Sequence, residues 1–115
     1  MLKKLIFILL SILPLSALAH SPIANLIPND GAILTEAPKE ISIEFVNPAM
    51  FTKFEITNTA KNNEKIELSK EFLMVLSDKH SIKLPKLNSG KYTTVWRAMA
   101  SDGHVIKGKF AFEVN

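Results

Sequence analysis

The chain contains no cysteine. That removes the disulfides on which small exported domains often rely, and it excludes any thiolate metal site. Long runs of like charge are also missing, and aromatics are not interleaved with Lys and Arg, so nothing here favours nucleic acid. No internal repeat and no low-complexity segment is present. After Ala19 no apolar stretch approaches the length needed to cross a bilayer, so the expectation is a domain that is not membrane-anchored. Tryptophan and tyrosine occur once each among 115 residues. A domain of this make-up has to be held by its hydrophobic core alone.

The N-terminus has the form of a secretory signal peptide over residues 1–19. Lys3 and Lys4 provide the positive start, and Leu5 to Leu13 a short apolar run. Pro14 breaks it, and Ala17-Leu18-Ala19 supplies the small-x-small pattern at which signal peptidase cuts. Cleavage there leaves 96 residues, one small domain spanning 20–115. The full chain carries 14 Lys+Arg against 11 Asp+Glu. Two of those lysines leave with the signal, so the mature domain has 12 − 11 = +1. The basic character of the precursor is therefore partly a property of its leader.

The mature sequence reads as all-β, with six or seven short strands in a Greek-key sandwich or barrel. Ile41, Ile43 and Phe45 alternate with polar residues, and Asn47-Pro48 marks an end to that strand. Phe54 and Ile56 form a second alternating run. The polar stretch 58–64 reads as a turn leading to Ile66 and Leu68. Phe72 to Leu76 is an apolar run whose periodicity fits a buried strand or a short helical turn. Ser81 to Leu84 is a short strand. Tyr92, Thr94 and Trp96 share one face of the next strand, and Phe110, Phe112 and Val114 alternate in the last. Between those two lies a polar hairpin loop containing Asp102-Gly103-His104.

Processing after Ala19 makes His20 the first residue, with a free α-amino group beside its imidazole. An amine and an imidazole on one residue chelate a borderline metal such as Cu(II). Asp102 and His104, two apart in an extended segment, project to the same side, with Gly103 free to turn. Together the amine, two rings and a carboxylate make three nitrogens and one oxygen, a set suited to tetragonal Cu(II). The third mature residue is Pro22, which has neither an imidazole nor an N–H. The terminus therefore cannot complete a copper site on its own.

Three segments resemble the CopC-type periplasmic copper-resistance domains, over essentially the whole mature chain. The first is His20 followed by Pro28-Asn29-Asp30-Gly31-Ala32, like that family's P-x-D/E-G turn. The second, Ala37 to Phe45, is similar to its A-P-x-x-[IV]-x-[IL]-x-F strand. The third runs from Gly90 to Gly108 and looks like G-x-Y-x-V-x-W-R-x-x-S-x-D-G-H-x-x-x-G. The resemblance implies a seven-stranded, immunoglobulin-like Greek-key fold and one Cu(II) per chain, held by His20, Asp102 and His104. It also implies a periplasmic location and, as partner, a CopD-type inner-membrane copper protein. Some relatives bind Cu(I) through a Met-rich loop. Here residues 58–70 contain no Met, and Met50, Met74 and Met99 are scattered, which argues against a separate Cu(I) site.

His80 follows Asp78 and Lys79 in a polar turn and reads as a solvated loop residue rather than an accessory ligand. Trp96 and Arg97 read as structural. The glutamates form a solvated scatter without a paired acid/base site. Two other functions fit the same features less well. An N-terminal His chelate with a second His also occurs in copper enzymes that oxidise polysaccharides, but Asp102 in the copper plane favours stable Cu(II). A small domain also leaves little surface for a polymer groove, so no enzyme is expected. A metal-free structural or adhesive sandwich would make His20 and His104 incidental.

Overall fold

The computed structural model describes residues 22–115. The signal segment and His20 lie outside the described residues. Seven strands form a single sheet: β1 (Ile23–Ile27), β2 (Ala32–Leu34), β3 (Glu40–Asn58), β4 (Glu64–Lys65), β5 (Ser77–Lys83), β6 (Gly90–Ala100) and β7 (Val105–Val114). The main path runs β1-β3-β6-β7-β2, with β4 and β5 also paired to β3. The sheet curls over its own core as a barrel-like sandwich, and no helix forms among the described residues.

β3 makes this possible. Its first part, Glu40 to Glu44, is flanked by β1 on one edge and β5 on the other. Its second part, from Ala49 to Asn58, pairs with β6. Between Glu44 and Ala49 the ladder register shifts, and Val46, Asn47 and Pro48 are exposed. Asn47-Pro48 therefore marks a corner and not the strand end expected from the sequence. Proline has no N–H to give, and at a break in the ladder none is required. One 19-residue strand thus serves both layers.

Alternation sets what each strand buries. Tyr92, Thr94, Trp96 and Ala98 point into the core from β6, and Phe110, Phe112 and Val114 from β7. Phe45, Phe51 and Trp96 meet at centroid separations of 5.4–5.7 Å in tilted and edge-on contacts, the geometry aromatic quadrupoles favour. Trp96 lies directly opposite Gly108 on β7. A Cβ at that glycine would fall 2.2 Å from the indole, so only glycine leaves the ring its place. At the far end Tyr92 stacks on Phe112, and its hydroxyl donates to the Asn88 carbonyl at 2.6 Å. Burial, with the Glu64 charge adding to it, pushes that phenol's pKa above its ordinary value.

Two stretches depart from the alternation pattern. Ile66 and Leu68 are half-buried but follow a strand of only two residues. The run from Phe72 to Leu76 is neither a buried strand nor a helical turn. Phe72 and Leu73 cover Phe51 and Phe54, while Met74, with φ of 61°, and the next two residues turn out to solvent.

Candidate metal centre

The β6–β7 hairpin closes through three residues, Ser101, Asp102 and Gly103. The Gly103 N–H donates to the Ala100 carbonyl, and the Ala100 N–H to the His104 carbonyl, at 2.9 and 2.8 Å. Gly103 has φ of 91°. This is the three-residue loop in which a turn is followed by a left-handed residue, and glycine meets that requirement at no steric cost.

The turn delivers Asp102 and His104 to each other. One carboxylate oxygen of Asp102 accepts the His104 main-chain N–H at 3.0 Å, and the other lies 2.6 Å from the ring Nδ1. A carboxylate has only lone pairs to offer, so Nδ1 carries the proton and donates; in the neutral ring that leaves Nε2 with its lone pair for a metal. These two bonds, the main-chain one foremost, hold the Asp102 carboxyl below its usual pKa, and the residue is ionised across the neutral range. Both side chains are largely exposed, at 61% for Asp102 and 82% for His104.

The pair opens onto a shallow hollow whose rim includes Pro22, Val46 and Asn47. The Pro22 carbonyl accepts the Val46 N–H at 2.8 Å, tying the start of the described chain to the β3 corner. Among the described residues no three His, Asp or Glu side chains come together as a metal cluster. Asp102 and His104 thus offer two donors where a metal site needs more, and His20 lies outside the described residues.

His80 is not the solvated loop residue its neighbours suggested. It lies within β5, 6% exposed, edge-on to Phe45 and Phe51. Its Nε2 stands 2.8 Å from both the Ala49 and the Ser77 carbonyl oxygens. Two carbonyls can only accept, so Nε2 is protonated and fully used. Ala49 is the residue at which β3 leaves β5 for β6, being paired with Ser77 on one edge and Ala100 on the other. The buried ring therefore pins the corner that lies beside the β6–β7 hairpin. The alternation of His80, Ile82 and Leu84 with Ser81 and Lys83 carries a signal of burial but none of the carbonyls the ring would meet.

Comparison with known proteins agrees with this architecture. The chain is 27% identical over 115 residues to the copper transport protein CutJ of Bacillus subtilis (strain 168), covering 96% of this chain and 21% of that protein. It therefore spans about a fifth of that relative's length. It is 29% identical over 110 residues to protein YobA of Escherichia coli (strain K12), covering 86% of this chain and 82% of YobA. Among solved structures, the methionine-rich copper resistance protein PcoC of Escherichia coli superposes with a TM-score of 0.66 at 23% identity, covering 84% of this chain and all of that one. CopC of Methylosinus trichosporium OB3b gives 0.63 at 20% identity, covering 84% and 94%. The CopC domain profile matches residues 23–115, the whole sheet from the first residue of β1 to the C-terminus, and the chain belongs to the CopC family.

Proposed function

We propose that this domain is a periplasmic carrier that holds one Cu(II) ion through the amine and ring of His20, the carboxylate of Asp102 and the ring of His104. The observation that carries the reading is the Asp102–His104 pair, with its free Nε2, beside Pro22. Two residues of chain span at most about 7 Å, so a terminus at His20 stays close to that rim. Three nitrogens and one oxygen suit tetragonal Cu(II), which stands highest among the divalent metals for such ligands. The names of CutJ and PcoC, copper transport and copper resistance, point the same way. The domain's work is ligand presentation without turnover: it takes copper up, for resistance or homeostasis, and yields it to an acceptor. A CopD-type inner-membrane protein is the partner we propose.

The test is a Cu(II) titration of the processed chain, read by electron paramagnetic resonance. One equivalent with a tetragonal signal and nitrogen hyperfine structure is expected. A chain carrying one extra residue before His20 replaces the amine by an amide nitrogen and is expected to bind far more weakly. Equal binding by the two forms would remove the terminus from the site.

A further inference from the structure

The outer face of the sheet carries a charge pattern that no stretch of sequence displays. Register across β3, β6 and β7 places Lys53 opposite Arg97, and Arg97 opposite Lys107. All three are exposed. Like charges directly opposite one another on a sheet repel. Toward the other end of this face Lys91 faces Glu113 and Glu55 pairs with Lys65 at 3.4 Å, while Lys109, opposite Val95, is a further exposed cation. Glu55 also approaches Lys53 at 3.9 Å, but among the described residues neither Arg97 nor Lys107 has an ion pair.

The row next to these cations, toward the metal hairpin, is apolar. Met50 faces Met99, and Met99 faces Val105. Met99 is 38% and Val105 55% exposed. Beside it the Met74 N–H bonds to the Phe51 carbonyl, and Leu76 precedes Ser77, which pairs with Ala49. That brings the exposed Met74, Val75 and Leu76 to the same end, where Val46 also stands out. Six of the nine large apolar side chains exposed among the described residues thus surround one end of the fold, backed by three cations.

We infer that this end is a docking surface for an anionic lipid bilayer. Interfacial surfaces combine apolar side chains that enter the headgroup boundary with Lys and Arg that meet lipid phosphates. The apolar residues here stand out around a hairpin end, and the cations lie one row behind, where headgroups would be. Repulsion within the row is relieved when anionic headgroups neutralise it. Docked in this way, the Asp102–His104 loop sits at the membrane surface, within reach of an acceptor embedded there. The inference does not depend on which metal the loop holds.

The experiment is co-sedimentation of the exported, processed chain with vesicles. Those made of phosphatidylglycerol and phosphatidylethanolamine are expected to bind it, and pure phosphatidylcholine vesicles are not. Added salt screens the attraction and is expected to release the protein. Each surface cation strengthens such binding by about fivefold, so Arg97→Gln with Lys107→Gln should weaken it by roughly 25-fold. Met99→Ser with Leu76→Ser removes apolar contact and is expected to cost about tenfold. Lys91→Gln, at the other end, should change little. The Arg97/Lys107 variant should keep its Cu(II) titration, which shows that it is folded. No binding to anionic vesicles at low salt would overturn the inference. Binding that survives the Arg97/Lys107 change, or that is equal on phosphatidylcholine, would do the same.

Discussion

Two histidines, one within β5 and one at the β6–β7 hairpin, have opposite fates in this fold. At the β3 corner, His80 is buried between Phe45 and Phe51, with its Nε2–H shared by two main-chain carbonyls. At the hairpin tip, His104 is almost fully exposed, with Nδ1 held by Asp102 and Nε2 open. One imidazole satisfies backbone groups that would otherwise be stranded in the core; the other keeps a lone pair in reserve. The difference lies in the acceptors each ring meets. At the corner where β3 changes partners, the Ala49 and Ser77 carbonyls both face the ring and consume its one N–H. A three-residue hairpin with an aspartate in it supplies the acceptor and frees the far nitrogen.

Substituting each ring in turn is the sharpest way to break this comparison. His104→Ala should weaken Cu(II) binding by orders of magnitude while leaving the metal-free melting temperature nearly unchanged, because exposed side chains carry little stability. Unchanged affinity in a titration would strike His104 from the site. His80→Leu should do the reverse. It takes the ring donor from the buried Ala49 carbonyl and the half-buried Ser77 carbonyl, at a cost of about 1–3 kcal/mol, or roughly 5–20 °C in Tm. The folded fraction should keep the same copper spectrum. A stable His80→Leu protein would show that the corner does not depend on the ring.

Why one histidine was legible in the sequence and the other was not follows from the same geometry. Asp102-Gly103-His104 is a local device: turn, carboxylate and ring lie within three residues, and the strands on either side alternate cleanly. The core faces of β6 and β7 were legible for the same reason, since Tyr92, Thr94 and Trp96 and then Phe110, Phe112 and Val114 keep strict period two. His80 takes its meaning from Ala49, 31 residues away, and no local pattern records that contact. Asn47-Pro48 misled for a related reason. Proline interrupts a ladder, but whether the chain then ends or only changes partners depends on what lies alongside. The scattered methionines belong here too, because Met50 and Met99 become neighbours only through the β3–β6 register.

The role of Asp102 at the tip can be divided into orienting and ligating parts. Asp102→Asn keeps an oxygen for the His104 main-chain N–H but loses the charge that fixes Nδ1–H and attracts the cation. If the carboxylate acts on the metal mainly through His104, affinity should fall by about 10–100-fold with the nitrogen hyperfine pattern intact. If it coordinates copper directly, the spectrum itself should shift as well. A variant matching the parent in both respects would leave the tip's hydrogen bonds without functional consequence.

Acid offers the gentlest probe of the same contact. The carboxyl of Asp102 is held below its ordinary value chiefly by the His104 N–H and next by the ring. A lowered pKa in the folded chain means that the ionised form belongs to the ordered tip. The tip's two hydrogen bonds are therefore fully in place above the usual carboxylate range and are lost as pH falls through the lowered value. Because Asp102 is exposed, this should be a local event, with the rest of the domain still folded while the loop loosens. Amide resonances of Gly103 and His104 followed by NMR in the metal-free protein should move together at a pH below the ordinary carboxylate range, with Trp96 undisturbed. If they move within the ordinary carboxylate range instead, Asp102 is not held by His104 in solution, and the lock that frees Nε2 at the tip is not formed.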